Sequence, residues 1–286
     1  MSWRLINFQL YSAFENMAID EAIFLETVNT KKLPTIRFYG WRPAAVSIGY
    51  FQDPAKEVNI EKCLAQGVDI VRRPSGGKAV FHCDEITYSI ISSNREKTFP
   101  SDILGTYKII SNCLVSGLAY IGINAQLSET GRANNNYVFK SCCFSAPARN
   151  ELLVAGRKIC GSAQMRTSGG FLQHGSILIN FNPSHAASFL LPACNEEQLR
   201  KLKNSVAAIN QEIAVPLAEK EICSNLIKGF IDILGIEIGE DELTPAEEDL
   251  KKELLNKYSD WRWNREGRKG RFKNLLHGFD KKDLTP

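Results

Sequence analysis

Two adjacent cysteines, Cys142 and Cys143, stand in a segment from Lys140 to Pro147 that suits a β-strand. Neighbouring side chains of a strand project to opposite faces, so at most one of these thiols can address a given pocket. Nucleophilic catalysis by a cysteine needs the thiolate, but a thiol with the ordinary pKa of about 8.5 is only slightly ionised at neutral pH. A catalytic cysteine here therefore requires a neighbouring cation. The alternative is a pair of packing cysteines.

The segment Ala155–Gln164 offers such a cation. Strand alternation places Lys158 and Cys160 on one face and Arg157 and Ile159 on the other. Lys158 then shares a side with core-directed residues, where a lysine needs an anion as its partner. A thiolate would serve, since one nearby ammonium supplies the roughly 1.4 kcal/mol that lowers a thiol pKa by one unit. An exposed hairpin lysine is the alternative.

A Gly-rich turn follows two arginines in the run Arg72-Arg73-Pro74-Ser75-Gly76-Gly77-Lys78-Ala79-Val80-Phe81-His82. Glycine lets the backbone approach a ligand closely, and consecutive amides of such a turn can face a carbonyl oxygen or a phosphate. The spacing fits neither a Walker loop nor a Rossmann fingerprint. A hairpin turn with solvated basic residues and a structurally hydrogen-bonded His82 is the alternative interpretation. A further polar run, Gln173-His174-Gly175-Ser176, either lines the same cleft or completes a strand.

The surrounding pattern predicts the elements that position these residues. Ser12 and Glu15 have the spacing of a capping box, followed by an amphipathic helix with an acidic outer face. A tight hairpin is predicted around Gly156. Runs typical of strands are 35–39, 45–48, 69–72, 86–92, 138–144, 151–154, 158–165 and 171–179. Helical patterns cover 103–120, 196–213 and 216–234, and a third late helix begins behind Thr244. Because strands and helices are segregated, we expect an α+β fold with a mixed or antiparallel sheet.

Composition restricts the class of protein. The 286 residues are 44% hydrophobic and carry a net charge of only +3, which suits a globular chain and calls for no nucleic-acid partner. The eight cysteines show no metal-type pairing, and the start lacks the apolar run of a signal peptide. No stretch is long and apolar enough for a membrane helix. We therefore expect reduced thiols, no metal, no membrane association and a cytoplasmic location. The length suits a catalytic domain over 1–245, followed by a C-terminal helix and basic tail over 246–286.

Three of these motifs occur together in a known order. They are Arg72-Arg73-Pro74-Ser75-Gly76-Gly77, Gly156-Arg157-Lys158-Ile159-Cys160-Gly161-Ser162-Ala163-Gln164 and Gln173-His174-Gly175-Ser176. Jointly they resemble the signature of the lipoate–protein ligase and octanoyltransferase superfamily, and the run Ser47–Gln52 resembles its upstream strand-end motif. The run Cys143-Phe144-Ser145-Ala146-Pro147, with a lysine 15 residues beyond Cys143, is similar to the LipM-type octanoyltransferases. The resemblance implies the biotin/lipoate ligase catalytic fold.

The resemblance also implies roles for residues. Cys143 would be the acyl-thioester nucleophile, and Lys158 would lower its pKa. The residues implied in substrate binding are Arg72, Ser75, Gly76, Gly77, Lys78, Ala79, His82, Gly161, Ser162, Ala163 and His174. The chain departs from the family pattern at Cys83, where an acidic residue is common, at Asn150, where an aromatic is usual, and at Lys78. These departures leave the substrate preference open.

The implied activity is transfer of an octanoyl group from octanoyl acyl carrier protein to a lysine of a lipoyl-accepting domain, such as the glycine cleavage H protein. Thioester to amide is downhill, so no ATP or other cofactor is implied. A basic cluster over 262–273 would steer these acidic partners, or else serves as a solubilising tail. Three alternatives stay open: an ATP-dependent lipoate–protein ligase, an amidotransferase between lipoyl domains, and a non-catalytic acyl or lipoyl-domain binding protein.

Overall fold

The computed structural model describes residues 2–30, 32–128 and 150–266. Cys142, Cys143 and the strand predicted over 138–144 lie outside the described residues. The strands are β1 Ser2–Tyr11, β2 Thr35–Trp41, β3 Ala45–Ile48, β4 Asp69–Arg72, β5 Val80–His82, β6 Glu85–Ser93, β7 Ala125–Leu127, β8 Leu152–Val154, β9 Arg157–Arg166, β10 Gly170–Leu178 and β11 Glu237–Glu240. The helices are α1 Ala13–Thr30, α2 Pro54–Glu57, α3 Ile60–Ala65, α4 Ile103–Ala119, α5 Pro183–Ser188, α6 Glu196–Ser205, α7 Ile209–Glu212, α8 Glu219–Leu234, α9 Pro245–Ser259 and α10 Trp261–Glu266.

The larger sheet has eight strands in the described part, in the order β11-β1-β2-β6-β10-β9-β8-β7. β1 pairs parallel with β11 and β2. The remaining neighbours in this order, β2-β6, β6-β10, β10-β9, β9-β8 and β8-β7, all pair antiparallel. This arrangement confirms the predicted α+β class with a mixed, mainly antiparallel sheet. The register places Gly175 of β10 opposite Ser162 of β9 and Tyr88 of β6, at the centre of the sheet.

A smaller sheet has the order β4-β3-β5. β3 pairs parallel with β4 and antiparallel with β5, with Ser47 opposite Val80. The Gly-rich run leaves the end of β4 and returns along β5. This sheet therefore holds both ends of the turn, and it places the turn beside Ser47.

Helices cover both faces of the larger sheet. Alternation along β2 sends Ile36 and Phe38 toward α4 and α8 and sends Arg37 and Tyr39 toward α1. α4 and α8 can approach closely because Gly229 of α8 has no side chain. A Cβ at this position would collide with the backbone of α4. No helix among the described residues has the length and apolar character to cross a membrane.

The start of α1 is a capping box, as predicted. The Ser12 hydroxyl accepts from the Glu15 amide, and the Glu15 carboxylate accepts from the Ser12 amide at 3.0 Å. The predicted acidic outer face is wrong, however, because Asp20 and Glu21 are 0% and 6% exposed. Both carboxylates are buried against basic partners, which periodicity alone does not reveal.

The single helix predicted over 196–213 is also wrong. The structure has α6 and α7, separated by extended backbone at Val206. Val206 forms a parallel bridge to Lys158, and the Ala207 amide donates to the Lys158 carbonyl at 2.9 Å. Pairing with β9 satisfies the backbone groups that a continuous helix would have used. The next predicted helix, over 216–234, begins only at Glu219.

The C-terminal helices pack on the N-terminal part of the chain. Glu247 of α9 accepts from Arg4 of β1 at 2.6 Å, and Lys257 donates to Glu21 of α1 at 2.6 Å. All four side chains are buried. Residues 246–266 are thus held by buried ion pairs, while the division into 1–245 and 246–286 stays a prediction.

Candidate active site

The β8–β9 hairpin orients the strand that carries Lys158. Ala155 and Gly156 have φ of 47° and 77°, so both central residues of the turn are left-handed, as a two-residue hairpin requires. The predicted hairpin is confirmed. Its twist sets the direction of β9, from Arg157 to the centre of the sheet.

Lys158 is buried, with 1% of its side chain exposed. Its Nζ donates to Oε1 of Glu151 at 2.7 Å, and Glu151 is itself only 7% exposed. The burial expected from alternation is confirmed. The structure adds a carboxylate partner where the sequence suggested a thiolate. Cys143 lies outside the described residues, so its position relative to Lys158 stays a prediction.

A pocket with a cavity volume of about 40 Å³ lies between the Gly-rich turn, β9 and β10. Six of the predicted substrate-binding residues line it, namely Gly77, His82, Gly161, Ser162, Ala163 and His174. Met17, Tyr39 and Trp41 add apolar wall. The structure therefore brings together the three sequence blocks that carry the resemblance.

Arg72 is predicted to bind substrate, but it does not line this pocket. The guanidinium is buried and donates to the carbonyls of Tyr50 and Gln52 at 2.8 and 2.7 Å. It also donates to the carbonyl of Asn264 at 2.9 Å. Burial lowers the pKa of Arg72. The described contacts of this side chain join the turn after β3 to α10, so any effect on substrate passes through the backbone.

The remaining residues of the Gly-rich run shape the turn. Arg73 lines the pocket and donates to the carbonyls of Gly76 and Lys78 at 2.8 and 2.7 Å. Gly77 has φ of 93° and touches the Arg73 guanidinium so closely that a Cβ would lie 2.8 Å from it. Ala79 is fully buried in the core beneath the turn. Ser75, Gly76, Lys78 and Ala79 thus lie outside the pocket wall, and their roles in binding stay predictions.

His174 lines the pocket and is held at both ring nitrogens. Its Nε2 is 2.6 Å from Oγ of Ser75, and its Nδ1 is 3.6 Å from Oδ2 of Asp20. Burial lowers the pKa of His174, although Asp20 acts in the opposite direction. Burial by itself would raise the pKa of Asp20, but the Arg37 guanidinium, 2.6 Å away, and His174 together hold it below its usual value.

His82 also lines the pocket and is buried at 4% exposure. It contacts Ser47 and Glu85 through its two nitrogens, and its ring stacks on Trp41 with centroids 3.9 Å apart. The sequence analysis weighed His82 as a structural histidine. The structure identifies its partners, which sequence reasoning missed along with Asp20 and Glu151. The signal available for Asp20 was its place one helical turn from Met17, on the buried face of α1.

The backbone of Gly161, Ser162 and Ala163 forms one wall of the pocket. Ser162 Oγ is 2.7 Å from the Tyr88 hydroxyl, which also accepts from Gln173 at 3.1 Å. A Cβ at Gly175 would lie 2.6 Å from both Ser162 Oγ and the Tyr88 ring. Glycine at this position therefore keeps the three central strands close together behind the pocket.

Comparison with known proteins identifies the family of this chain. Residues 12–231 match the family described as the lipoyl protein ligase A/B catalytic domain. The chain belongs to this family. The octanoyltransferase LipM of Bacillus subtilis is 37% identical over 271 residues, covering 92% of this chain and 98% of that protein. The LipM octanoyltransferases of Brevibacillus brevis and Kyrpidia tusciae are 38% and 37% identical with the same coverage. The resemblance stated from the motifs is confirmed.

Solved structures of the family share the fold. A lipoate-protein ligase A bound with ATP superposes with a TM-score of 0.79 at 26% identity, covering 93% of this chain and 99% of that one. A bi-partite lipoate protein ligase of Thermoplasma acidophilum, studied with its lipoyl domain, gives 0.78 at 26% identity, covering 93% and 97%. The lipoate ligase-like catalytic fold expected from the sequence is therefore confirmed.

Proposed function

We propose that this chain is an octanoyltransferase of lipoate biosynthesis that carries the acyl group as a thioester on Cys143. The observation that carries the proposal is the 35–38% identity to LipM octanoyltransferases over about 92% of the chain. Two features of the structure support it. Lys158 is buried on β9, although it does not itself line the pocket, and Gly77, Gly161 and Ala163 lie together in the pocket wall.

The first half-reaction loads the enzyme. The thiolate of Cys143 attacks the carbonyl carbon of octanoyl acyl carrier protein, a carbon–sulfur bond forms, and the pantetheine thiolate of the carrier leaves and takes up a proton. Lys158 stabilises the attacking sulfur, and backbone amides that line the pocket stabilise the oxyanion. The apolar chain gains about 0.8 kcal/mol for each methylene that it buries.

The second half-reaction transfers the octanoyl group from the enzyme to the acceptor. A lysine amine of a lipoyl-accepting domain, such as the glycine cleavage H protein, attacks the enzyme thioester, and the Cys143 sulfur leaves. The product is an amide, so the step is downhill and uses no ATP. We place this exchange in the cytoplasm, between two partners that each carry the acyl group on a long flexible arm.

Charge supports docking of such partners. Acyl carrier proteins and lipoyl domains are typically acidic, and the basic cluster begins on α10 with Arg262 and Arg265. Arg72 binds the carbonyls of residues 263–265 and also those of the turn at Tyr50 and Gln52. The start of the cluster is therefore fixed next to the Gly-rich run, where positive charge raises the encounter rate with acidic proteins.

A second candidate function is ATP-dependent lipoate ligation, which the similarity to a ligase bound with ATP favours. The two functions differ in their first step, because a ligase forms an acyl-adenylate from free acid and needs no cysteine adduct. An amidotransferase that takes octanoyl from one lipoyl domain to another differs in the donor alone.

One experiment separates them. The chain is incubated with octanoyl acyl carrier protein without ATP, and intact mass is recorded before and after hydroxylamine. We expect an octanoyl adduct that hydroxylamine removes, absent in Cys143→Ala and present in the matched control Cys142→Ala. Acylation of a lipoyl domain that requires ATP and free octanoate would establish the ligase instead. An adduct formed from an octanoylated lipoyl domain, and not from the carrier, would establish the amidotransferase.

A further inference from the structure

A buried series of three side chains connects the pocket, through β3 and β5 of the smaller sheet, to β6 of the larger sheet. Ser47 Oγ lies 2.7 Å from Nε2 of His82, and Nδ1 of the same ring lies 2.8 Å from Oε1 of Glu85. Their exposed fractions are 1%, 4% and 4%. Ser47 and His82 both line the pocket, together with Gly161 and Ala163. A hydroxyl, an imidazole and a carboxylate hydrogen-bonded in series is the arrangement that activates a nucleophile or removes its proton.

The neighbours fix the direction of these hydrogen bonds. Arg73 can only donate, and its Nη1 is 3.1 Å from Ser47 Oγ, so that oxygen accepts there. Oε1 of Glu85 accepts from the hydroxyls of Thr87 and Ser176, both at 2.7 Å, so the Ser176 hydrogen is not available to Nδ1 of His82. Because a carboxylate oxygen only accepts, Nδ1 carries the hydrogen of its bond to Glu85. In the neutral ring, Nε2 is then the acceptor and takes the hydroxyl hydrogen of Ser47. The chain is poised to move a proton from the pocket toward His82.

The ring of His82 is also fixed in orientation. It stacks on Trp41 at an interplanar angle of 13°, which leaves little freedom to rotate. The charged and titratable groups around it are Glu85 of β6, Arg73 after β4 and His174 of β10. Glu85 is the anion among them and would stabilise the imidazolium that forms when His82 accepts a proton.

The reaction needs such a base in its second half. An acceptor lysine arrives as an ammonium and must lose two protons to become an amide nitrogen. We infer that Ser47, His82 and Glu85 form the general-base relay that takes the first of these protons, an inference that rests on the proposed octanoyl transfer. The proton passes through Ser47 Oγ to Nε2 of His82, and the amine forms the carbon–nitrogen bond. The carbon–sulfur bond breaks, and the departing Cys143 sulfur takes the second proton.

The test separates the two half-reactions. The octanoyl enzyme is prepared with octanoyl acyl carrier protein, isolated, and mixed with an apo lipoyl domain whose mass reports transfer. We expect His82→Ala and Glu85→Gln to slow transfer about 10²- to 10⁴-fold at pH 7 and to slow loading far less. The loss in His82→Ala should shrink about tenfold per pH unit as free amine becomes available, and added imidazole should restore part of the rate. His185→Gln, on the exposed face of α5, is the matched control.

Two results would overturn the relay while leaving the transferase intact. One is transfer by His82→Ala at the wild-type rate from a normally formed adduct. The other is an equal loss in loading and transfer with neither a pH trend nor a response to imidazole, which a merely structural network would give. Failure of the wild-type chain to form any adduct on Cys143 would instead remove the proposed function, and the relay with it.

Discussion

At the scale of residues, the site depends on buried polar groups that satisfy one another. Lys158 pairs with Glu151, His82 with Glu85, and His174 with Ser75 near Asp20. Each member is nearly inaccessible to water, where an unpaired charge or donor is costly. The same pairing that makes these residues stable in the interior also fixes the rings of His82 and His174 in the pocket wall.

Glu151 changes what Lys158 is expected to do for Cys143. A thiolate added to an ammonium already paired with a carboxylate gives a buried cluster of net charge −1, whereas without that carboxylate the cluster is neutral. We therefore expect Glu151→Gln to increase the alkylation rate of Cys143 by iodoacetamide at pH 7 about three- to tenfold, with the pH–rate midpoint moving to lower pH.

The matched control is Glu212→Gln. Glu212 pairs at 2.7 Å with Arg157, the neighbour of Lys158 on β9, and should leave the profile of Cys143 unchanged. A slower alkylation in Glu151→Gln than in the wild-type chain would show that the carboxylate supports the thiolate and would refute this charge argument.

At the scale of elements, β4 and the Gly-rich turn depend on the C-terminal helices. Trp263 of α10 donates to the Arg72 carbonyl at 3.1 Å, and Asn264 accepts from the Arg72 amide at 2.8 Å. The Arg72 guanidinium in turn binds carbonyls from α10 and from the turn after β3. The family match ends at residue 231, yet α10 completes the support of a family motif.

Replacement of Arg72 tests this support. Arg72→Met keeps much of the volume but leaves several buried carbonyls without a donor, each at about 1–3 kcal/mol. We expect a loss of about 3–5 kcal/mol in the free energy of unfolding, measured by urea denaturation, and faster proteolysis at α10 in the native state. The exposed Arg200→Met serves as control. A stable variant with wild-type proteolysis would contradict the role assigned to Arg72.

At the scale of the whole molecule, α1 links the two sides of the site. Its buried face carries Asp20 toward Arg37 and His174, and Glu21 toward Lys257 of α9. The charges that the sequence analysis assigned to solvent thus tie the sheet, the pocket and the C-terminal helices together. The stability of the whole fold should consequently depend on the protonation of these groups.

The free energy of unfolding should depend on pH through the protonation of His174. Burial lowers its pKa, so as the pH falls below about 6.5 the unfolded chain binds the proton first and the folded state loses stability. Asp20, whose pKa is lowered despite its burial, contributes stability that is lost only at lower pH, below about 3.9. Between pH 7 and 5, His174→Gln should therefore lose less free energy of unfolding than the wild-type chain, by up to about 1.4 kcal/mol per unit below 6.5.

Denaturant titrations of both proteins at several pH values measure this difference. His185→Gln, an exposed histidine, should follow the wild-type curve. Identical losses for the wild-type chain and His174→Gln from pH 7 to 5 would show that another group controls stability in this range.

The sequence by itself determined the family, the α+β class and the hairpin at Gly156, since these rest on motif order, the segregation of strands from helices and local turn chemistry. It left Lys158 as either buried or exposed, and the structure decided for burial. Nor could the sequence determine the partners of the buried charges. Glu151 meets Lys158 through strand pairing, Glu85 meets His82 across a turn, and Asp20 meets His174 across 154 positions of chain. Periodicity reports which face of an element is apolar, but not which polar group the rest of the chain will place against it. That choice was made only when the sheet and α1 packed together.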